Sequence, residues 1–181
     1  MSTSLSTSMP VVRVLILCTG NSARSIMAEG AINALGRGRV LAYSAGSRPT
    51  GQVHPLALAQ LARAGFAVGT PHSKSWDCFA APGCPPMDFV ITVCDNAAGE
   101  TCPVWPGQPV RAHWSLPDPA APAPHPEAQE AAFGAVFAEI LRRVHAWLGD
   151  APEALDQAAL VERLRAIPIH PAPGAFDHAA P

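Results

Sequence analysis

VLILCTGNSARSIMAE, from Val14 to Glu29, decides how the chain is read. Val11 to Leu17 (VVRVLIL) is a short β-branched apolar run, the pattern of a strand buried in a parallel sheet. Ser25 to Leu35 places Ile26, Ile32 and Leu35 near helical spacing, with Gly36 as a stop, and predicts a helix. Between them Cys18, Thr19, Gly20, Asn21, Ser22, Ala23 and Arg24 make a strand-to-helix loop. In open α/β sheets ligands bind at the carboxyl ends of the strands, and a helix N-terminus offers free N–H groups to an oxyanion. This loop starts with a thiol and carries a guanidinium six positions later. Wrapped around one tetrahedral anion, it would set the Cys18 sulfur below the central atom. The N–H groups of Thr19 to Ala23 would ring the oxygens, and the Arg24 fork would grip two of them. The helix end, Arg24 and the Ser25 hydroxyl all favour the thiolate, so a lowered Cys18 pKa and a nucleophile at neutral pH are expected. Gly20 and Asn21 suit left-handed backbone positions, and the Asn21 side chain can hydrogen-bond across such a loop.

The Cys-x5-Arg spacing is a weak signal alone; the strand before it, the helix after it and the Gly, Asn and Ser around it give it weight. Further along, Val40 to Ser44, Asp88 to Cys94 (DFVITVC) and Val110 to Trp114 read as strands, and His54 to Ala64 reads as a helix ending at Gly65. Pro126 to Leu148 repeats Phe133, Val136, Phe137, Ile140, Leu141, Val144 and Leu148 at helical spacing and closes at Gly149. Glu153 to Ala166 predicts one more helix. Alternation of strands and helices argues for an open, mostly parallel α/β sheet. Residues 1–10 are expected to be a flexible N-terminus, 11–166 a single domain, and 167–181 a disordered, proline-rich tail.

The bulk properties narrow the function. A chain of 181 residues, 49% hydrophobic, suits one core, and a net charge of -2 without charge runs gives no footprint for nucleic acid or an anionic membrane. The Ser/Thr-rich start lacks the basic and apolar regions of a secretory signal, and no apolar run approaches the ~20 residues that span a bilayer. Five dispersed cysteines (Cys18, Cys78, Cys84, Cys94, Cys102) do not look like a disulfide scaffold. Reduced thiols and a cytoplasmic location are expected, with no tightly bound cofactor and a monomeric state. A zinc site from Cys94, Cys102 and His113 is disfavoured because no Cys-x2-Cys pair is present, so no metal is assigned.

Two further features carry chemistry. Asp118, in Leu116-Pro117-Asp118-Pro119, sits in a stiff segment where a carboxyl can be aimed as a general acid, although Pro-Asp-Pro equally suits a turn aspartate. Cys94 ends the most strand-like segment, and Cys102 comes after it across DNAAGET. A strand-end thiol and a thiol on a mobile loop suit a disulfide relay; two ordinary buried cysteines would read the same way.

VLILCTGNSARSIMAE resembles the anion-binding loop and first helix of low-molecular-weight tyrosine phosphatases and of the arsenate reductases related to them. The resemblance continues through AYSAGS (Ala42 to Ser47), SKSWD (Ser73 to Asp77), VITVCDNAAGETCP (Val90 to Pro103) and AHWSLPDPA (Ala112 to Ala120). It implies a four-stranded parallel sheet flanked by helices, with Cys18, Arg24, Ser25 and Asp118 catalytic and Thr19 to Arg24 binding the oxyanion. In the resembling reductases a first cysteine forms a thiol-arsenate adduct, a second displaces arsenite, and a third takes over the disulfide. That order implies Cys18, Cys94 and Cys102. Ala120, Ala121 and Pro122 stand where related phosphatases carry aromatic residues, so arsenate reductase is the leading expectation, with phosphate as competitor. A tyrosine phosphatase and a non-catalytic oxyanion sensor are the alternatives. Thioredoxin, or glutaredoxin with glutathione, is the expected electron donor. Potassium-binding members would implicate Asn21, Glu29, Ser44, Ser75 and Asp77.

Overall fold

The computed structural model describes residues 10–67 and 69–171. Four strands, β1 (Val12–Cys18), β2 (Val40–Gly46), β3 (Phe89–Thr92) and β4 (Val110–His113), form one sheet in the order β2-β1-β3-β4, with every pair parallel. The helices are α1 (Arg24–Leu35), α2 (Pro55–Arg63), α3 (Asp77–Ala80), α4 (Asp95–Gly99), α5 (Pro126–Leu148) and α6 (Gln157–Ala166). The open parallel sheet flanked by helices is the expected architecture.

Strand β1 lies between two neighbours, which is why its apolar run is nearly continuous. Val12, Val14, Ile16 and Cys18 face the larger core cluster, where Ile26 and Ile32 of α1, Phe133, Ile140 and Trp147 of α5, and Leu160 of α6 meet. Leu15 and Leu17 face a smaller cluster with Trp76, Met87, Val90 and Trp105. Leu15 and Ile16 are fully buried, each worth about 1.5–3 kcal/mol relative to exposure. Pro126 fits the first turn of α5, and His125 caps it by accepting from the Ala128 N–H at 3.1 Å.

The elements depart from the expected ones at informative places. Cys18 is the last residue of β1 and pairs with Gly46, so the ladder fixes its backbone and the loop begins only at Thr19. β3 stops at Thr92, two residues before Cys94. The segment after Cys94, expected to be a mobile loop, forms α4: two alanines favour helix, Asp95 occupies its first turn, and Ala97 is buried in the larger cluster. Glu153 to Ala166 splits into a single 3₁₀ turn (Pro152–Ala154) and α6, because Asp156 caps the helix through the Ala159 N–H.

The expected tail is anchored where it begins. Ile169 O accepts from the Ser115 N–H at 2.8 Å and from Arg143 at 3.3 Å. Arg143 is itself fully buried, bonded to Glu139 at 2.6 Å and set over the Trp114 ring. Residues 1–9 and 172–181, which hold most of the expected flexible end and tail, lie outside the described residues. No helix among the described residues is long and apolar enough to cross a membrane.

Candidate active site at the end of β1

The loop Thr19 to Ala23 is held from outside by its carbonyls. Thr19 O accepts from the Arg48 N–H, Gly20 O from the Thr50 N–H and Ser73 Oγ, and Ser22 O from the His54 N–H, all at 2.9 to 3.1 Å. Carbonyls turned outward leave N–H groups facing inward, and the Asn21 N–H donates to Cys18 Sγ at 3.1 Å. Asn21 adopts φ 44°, a left-handed position that Asn tolerates better than most residues.

Fully buried, the Asn21 side chain ties the loop to everything beneath it. Its Nδ2 donates to Ser25 Oγ and to Ser44 Oγ, both at 2.9 Å, and its Oδ1 accepts from the Lys74 N–H at 2.8 Å. With Asn21 donating to it, the Ser25 hydroxyl keeps its own proton for Cys18 Sγ, 3.0 Å away. Ser44 in turn donates to Glu29. Gly46 is required by closeness: a Cβ there would stand 2.4 Å from Thr19 O. Of the residues linked with potassium, Asn21, Ser44 and Glu29 thus form one hydrogen-bonded chain, whereas Ser75 Oγ pairs with Asp77 at 3.0 Å.

Arg24 opens α1 and reaches the loop after β4. Its Nη1 donates to Leu116 O at 3.0 Å, and its Nη2 lies 3.4 Å from Asp118 Oδ1. Asp118, half exposed, also accepts from the Ala120 N–H at 3.2 Å, so it is both a turn aspartate and a carboxylate held beside the Arg24 guanidinium. Cys94 is buried in the same cluster as Cys18, and its Sγ lies 3.7 Å from Thr19 Oγ1. Beyond Thr19 a depression of about 450 Å³ opens between the loop and α4, bordered by Arg48, Asp95 and Glu100.

One electrostatic expectation fails. Burial pushes the Cys18 thiol above its ordinary value, and the Ser25 hydroxyl, the Asn21 N–H and Arg24 only partly offset it, with buried Cys94 adding to the rise. Arg24 contributes least among these causes, in keeping with its engagement by Asp118 and Leu116. A raised thiol pKa keeps Cys18 protonated at pH 7, and stability tied to the neutral thiol is lost as pH climbs through that value. Alkylation of Cys18 by iodoacetamide, read by peptide mass spectrometry, should therefore accelerate with pH through and beyond the ordinary thiol range near ~8.5. A rate already level at pH 7 would show that the thiolate forms despite burial.

The structure brings Cys18, Thr19 to Arg24, Ser25, Asp118 and Cys94 together. It does not bring Cys102, which packs against the smaller cluster on the other face of the sheet. Between them α4 is pinned by Asp95, whose carboxylate pairs with His113 Nε2 at 2.9 Å, while His113 Nδ1 meets Thr92 Oγ1 at 2.7 Å. Sequence reading missed the outer brace, Arg48, Thr50, His54 and Ser73. Nothing local marks Arg48, Thr50 and His54, which follow AYSAGS, whereas Ser73 opens SKSWD, the nearest signal.

Residues 13–160 match the low molecular weight phosphotyrosine protein phosphatase family. The chain belongs to this family. Among its relatives, an arsenate reductase of Halalkalibacterium halodurans is 34% identical over 131 residues, covering 72% of this chain and 91% of that protein. A glutaredoxin arsenate reductase of Synechocystis is 33% identical over 107 residues, 59% of this chain and 78% of that protein. A solved arsenate reductase in its phosphate binding state superposes with TM-score 0.59 at 30% identity, covering 75% of this chain and 95% of that one. If the Cys18 loop holds an oxyanion as the resemblance implies, its grip should depend on fork geometry. Arg24→Lys is expected to lose about 10²-fold or more in turnover, because an ammonium cannot span two oxygens. A loss of only a few-fold in steady-state kinetics would contradict the cradle.

Proposed function

We propose that the protein reduces arsenate to arsenite. The observation that carries this reading is the second thiol: Cys94 is buried beside the loop that holds Cys18, touching Thr19. Hydrolysis of a phosphate ester needs one nucleophile, whereas reduction of arsenate needs two electrons, and two thiols supply them by joining as a disulfide. Relatives named arsenate reductase support the reading, as does a loop built for a tetrahedral oxyanion.

Cys18 passes its thiol proton to an oxygen of the bound arsenate as its sulfur attacks arsenic, and Asp118, next to Arg24, gives the departing hydroxyl a proton so that it leaves as water. Arg24 and the loop N–H groups hold the remaining oxygens as charge builds. The Cys94 thiolate then attacks the Cys18 sulfur. The sulfur–arsenic bond breaks, its electron pair stays on arsenic, and arsenite departs, leaving a Cys18–Cys94 disulfide. Cys102 takes over that disulfide once α4 unwinds, which a five-residue helix with one buried residue allows. A thioredoxin or a glutaredoxin with glutathione restores the thiols. The test is arsenate-dependent consumption of NADPH with each donor system supplied separately. Absence of consumption with either, alongside hydrolysis of an aryl phosphate, would make the protein a phosphatase.

A further inference from the structure

The loop that carries Asp118 is tied down on both sides of that residue. Before it, Leu116 is buried and its carbonyl accepts from Arg24 at 3.0 Å. After it, Gln129 Nε2 donates to Pro119 O and to Ala121 O, both at 2.9 Å. Two carbonyl acceptors identify the nitrogen end of the amide, and both of its N–H bonds are used. Apart from Asp118 itself, Gln129 is the only group outside residues 119–124 that hydrogen-bonds to them, among the described residues. Gln129 stands in the first turn of α5, where its own N–H bonds to His125 O at 3.2 Å. One turn on, on the same face of the helix, fully buried Phe133 stacks on the His54 ring with centroids 4.6 Å apart. The His54 N–H holds Ser22 O of the Cys18 loop at 2.9 Å. One long helix therefore sets both loops, the Asp118 loop through Gln129 and the Cys18 loop through Phe133 and His54.

We propose that Gln129 is a positioning residue for the proton donor: its amide fixes where the Asp118 carboxyl stands relative to an oxyanion on the Cys18 loop. The inference rests on the reading of Asp118 as the acid. Asp118 is half exposed, and its ion pair at 3.4 Å occupies the guanidinium that the oxyanion also needs. Once Arg24 turns to the anion, the two Gln129 bonds and the prolines on either side of Asp118 keep the carboxyl in place. A general acid contributes about 10²–10⁴-fold only within hydrogen-bond reach of the departing oxygen, so a shift of about 1 Å costs rate and leaves anion binding unchanged. No proton passes through Gln129.

The test is a double-mutant cycle on the full chain. Its readout is loss of the free Cys18 thiol after mixing with saturating arsenate, followed by acid quench, denaturing alkylation and peptide mass spectrometry. Gln129→Met keeps the length of the side chain and removes its donors, and Gln129→Glu keeps the shape but sets an acceptor against two carbonyls. Each should slow consumption of Cys18 about tenfold while calorimetric phosphate affinity stays within about twofold of wild type. In an Asp118→Asn chain the same substitutions should change the rate by less than about twofold, because the group they place is already gone. A wild-type rate in Gln129→Met, equal slowing with and without the Asp118 carboxyl, or phosphate binding weakened in step with the rate would overturn the proposal. Asp118→Asn at the wild-type rate would remove the acid and the proposal with it. If arsenate consumes no Cys18 in the wild type, the reductase reading falls alone. The same cycle on hydrolysis of phenyl phosphate, whose departing phenoxide needs the same proton, then decides the role of Gln129.

Discussion

Cys18→Ser is expected to lose arsenate reduction by about 10⁴-fold or more, because the attacking sulfur is gone. Oxyanion binding should survive within a few-fold. In the proposed reading backbone N–H donors and Arg24 hold the anion, and the loop carbonyls behind them are fixed by Arg48, Thr50, Ser73 and His54, none of which touches the sulfur. Serine also keeps a hydroxyl within reach of Ser25 and the Asn21 N–H, so the loop should retain its shape. Steady-state reduction with a coupled thiol system, together with calorimetric phosphate binding, separates the two effects. Full activity in the variant would remove Cys18 from the mechanism.

Cys94→Ser is expected to be as inactive in turnover but for a different reason. The Cys18 adduct should still form, since the cradle and Asp118 are intact, and it should then persist because no thiolate stands beside Thr19 to displace arsenite. Intact-protein mass spectrometry after one equivalent of arsenate should find the adduct in this variant alone. Cys102→Ser should stall one step later as a Cys18–Cys94 disulfide unless an external thiol resolves it. A Cys94→Ser protein that reduces arsenate at the normal rate with every donor would end the relay and leave hydrolysis as the better assignment.

Strands and long helices were legible because their cause is local. The β-branched run of β1 and the helical spacing of α5 each encode which face is buried. The hydrogen-bonded cluster at the start of α1 was legible for the same reason: Cys18, Asn21 and Ser25 are close in sequence and bond to one another. The features that sequence reading missed depend on distance along the chain. α3 and α4 are too short to show a period. The carbonyl brace joins residues up to 53 positions apart. The thiol pKa was misread because neighbouring charges and dipoles can be counted in a sequence, whereas burial of the sulfur needs the surrounding helices in place. Cys102 was read as a neighbour of Cys94 by position, yet the intervening α4 carries the chain to the other face of the sheet.

The anchored start of the C-terminal segment bears on self-association. β4 is an edge strand, and an edge offers unpaired backbone groups to any passing chain. The Ser115 N–H, just past the end of that strand, is occupied by Ile169 O, so the segment after α6 covers one corner of the open edge and is secured there by Arg143. A chain cut after Ala166 at the end of its last helix would leave that corner bare and strip a hydrogen bond from buried Arg143. Such a shortened protein would be the form most prone to pair edge to edge and precipitate.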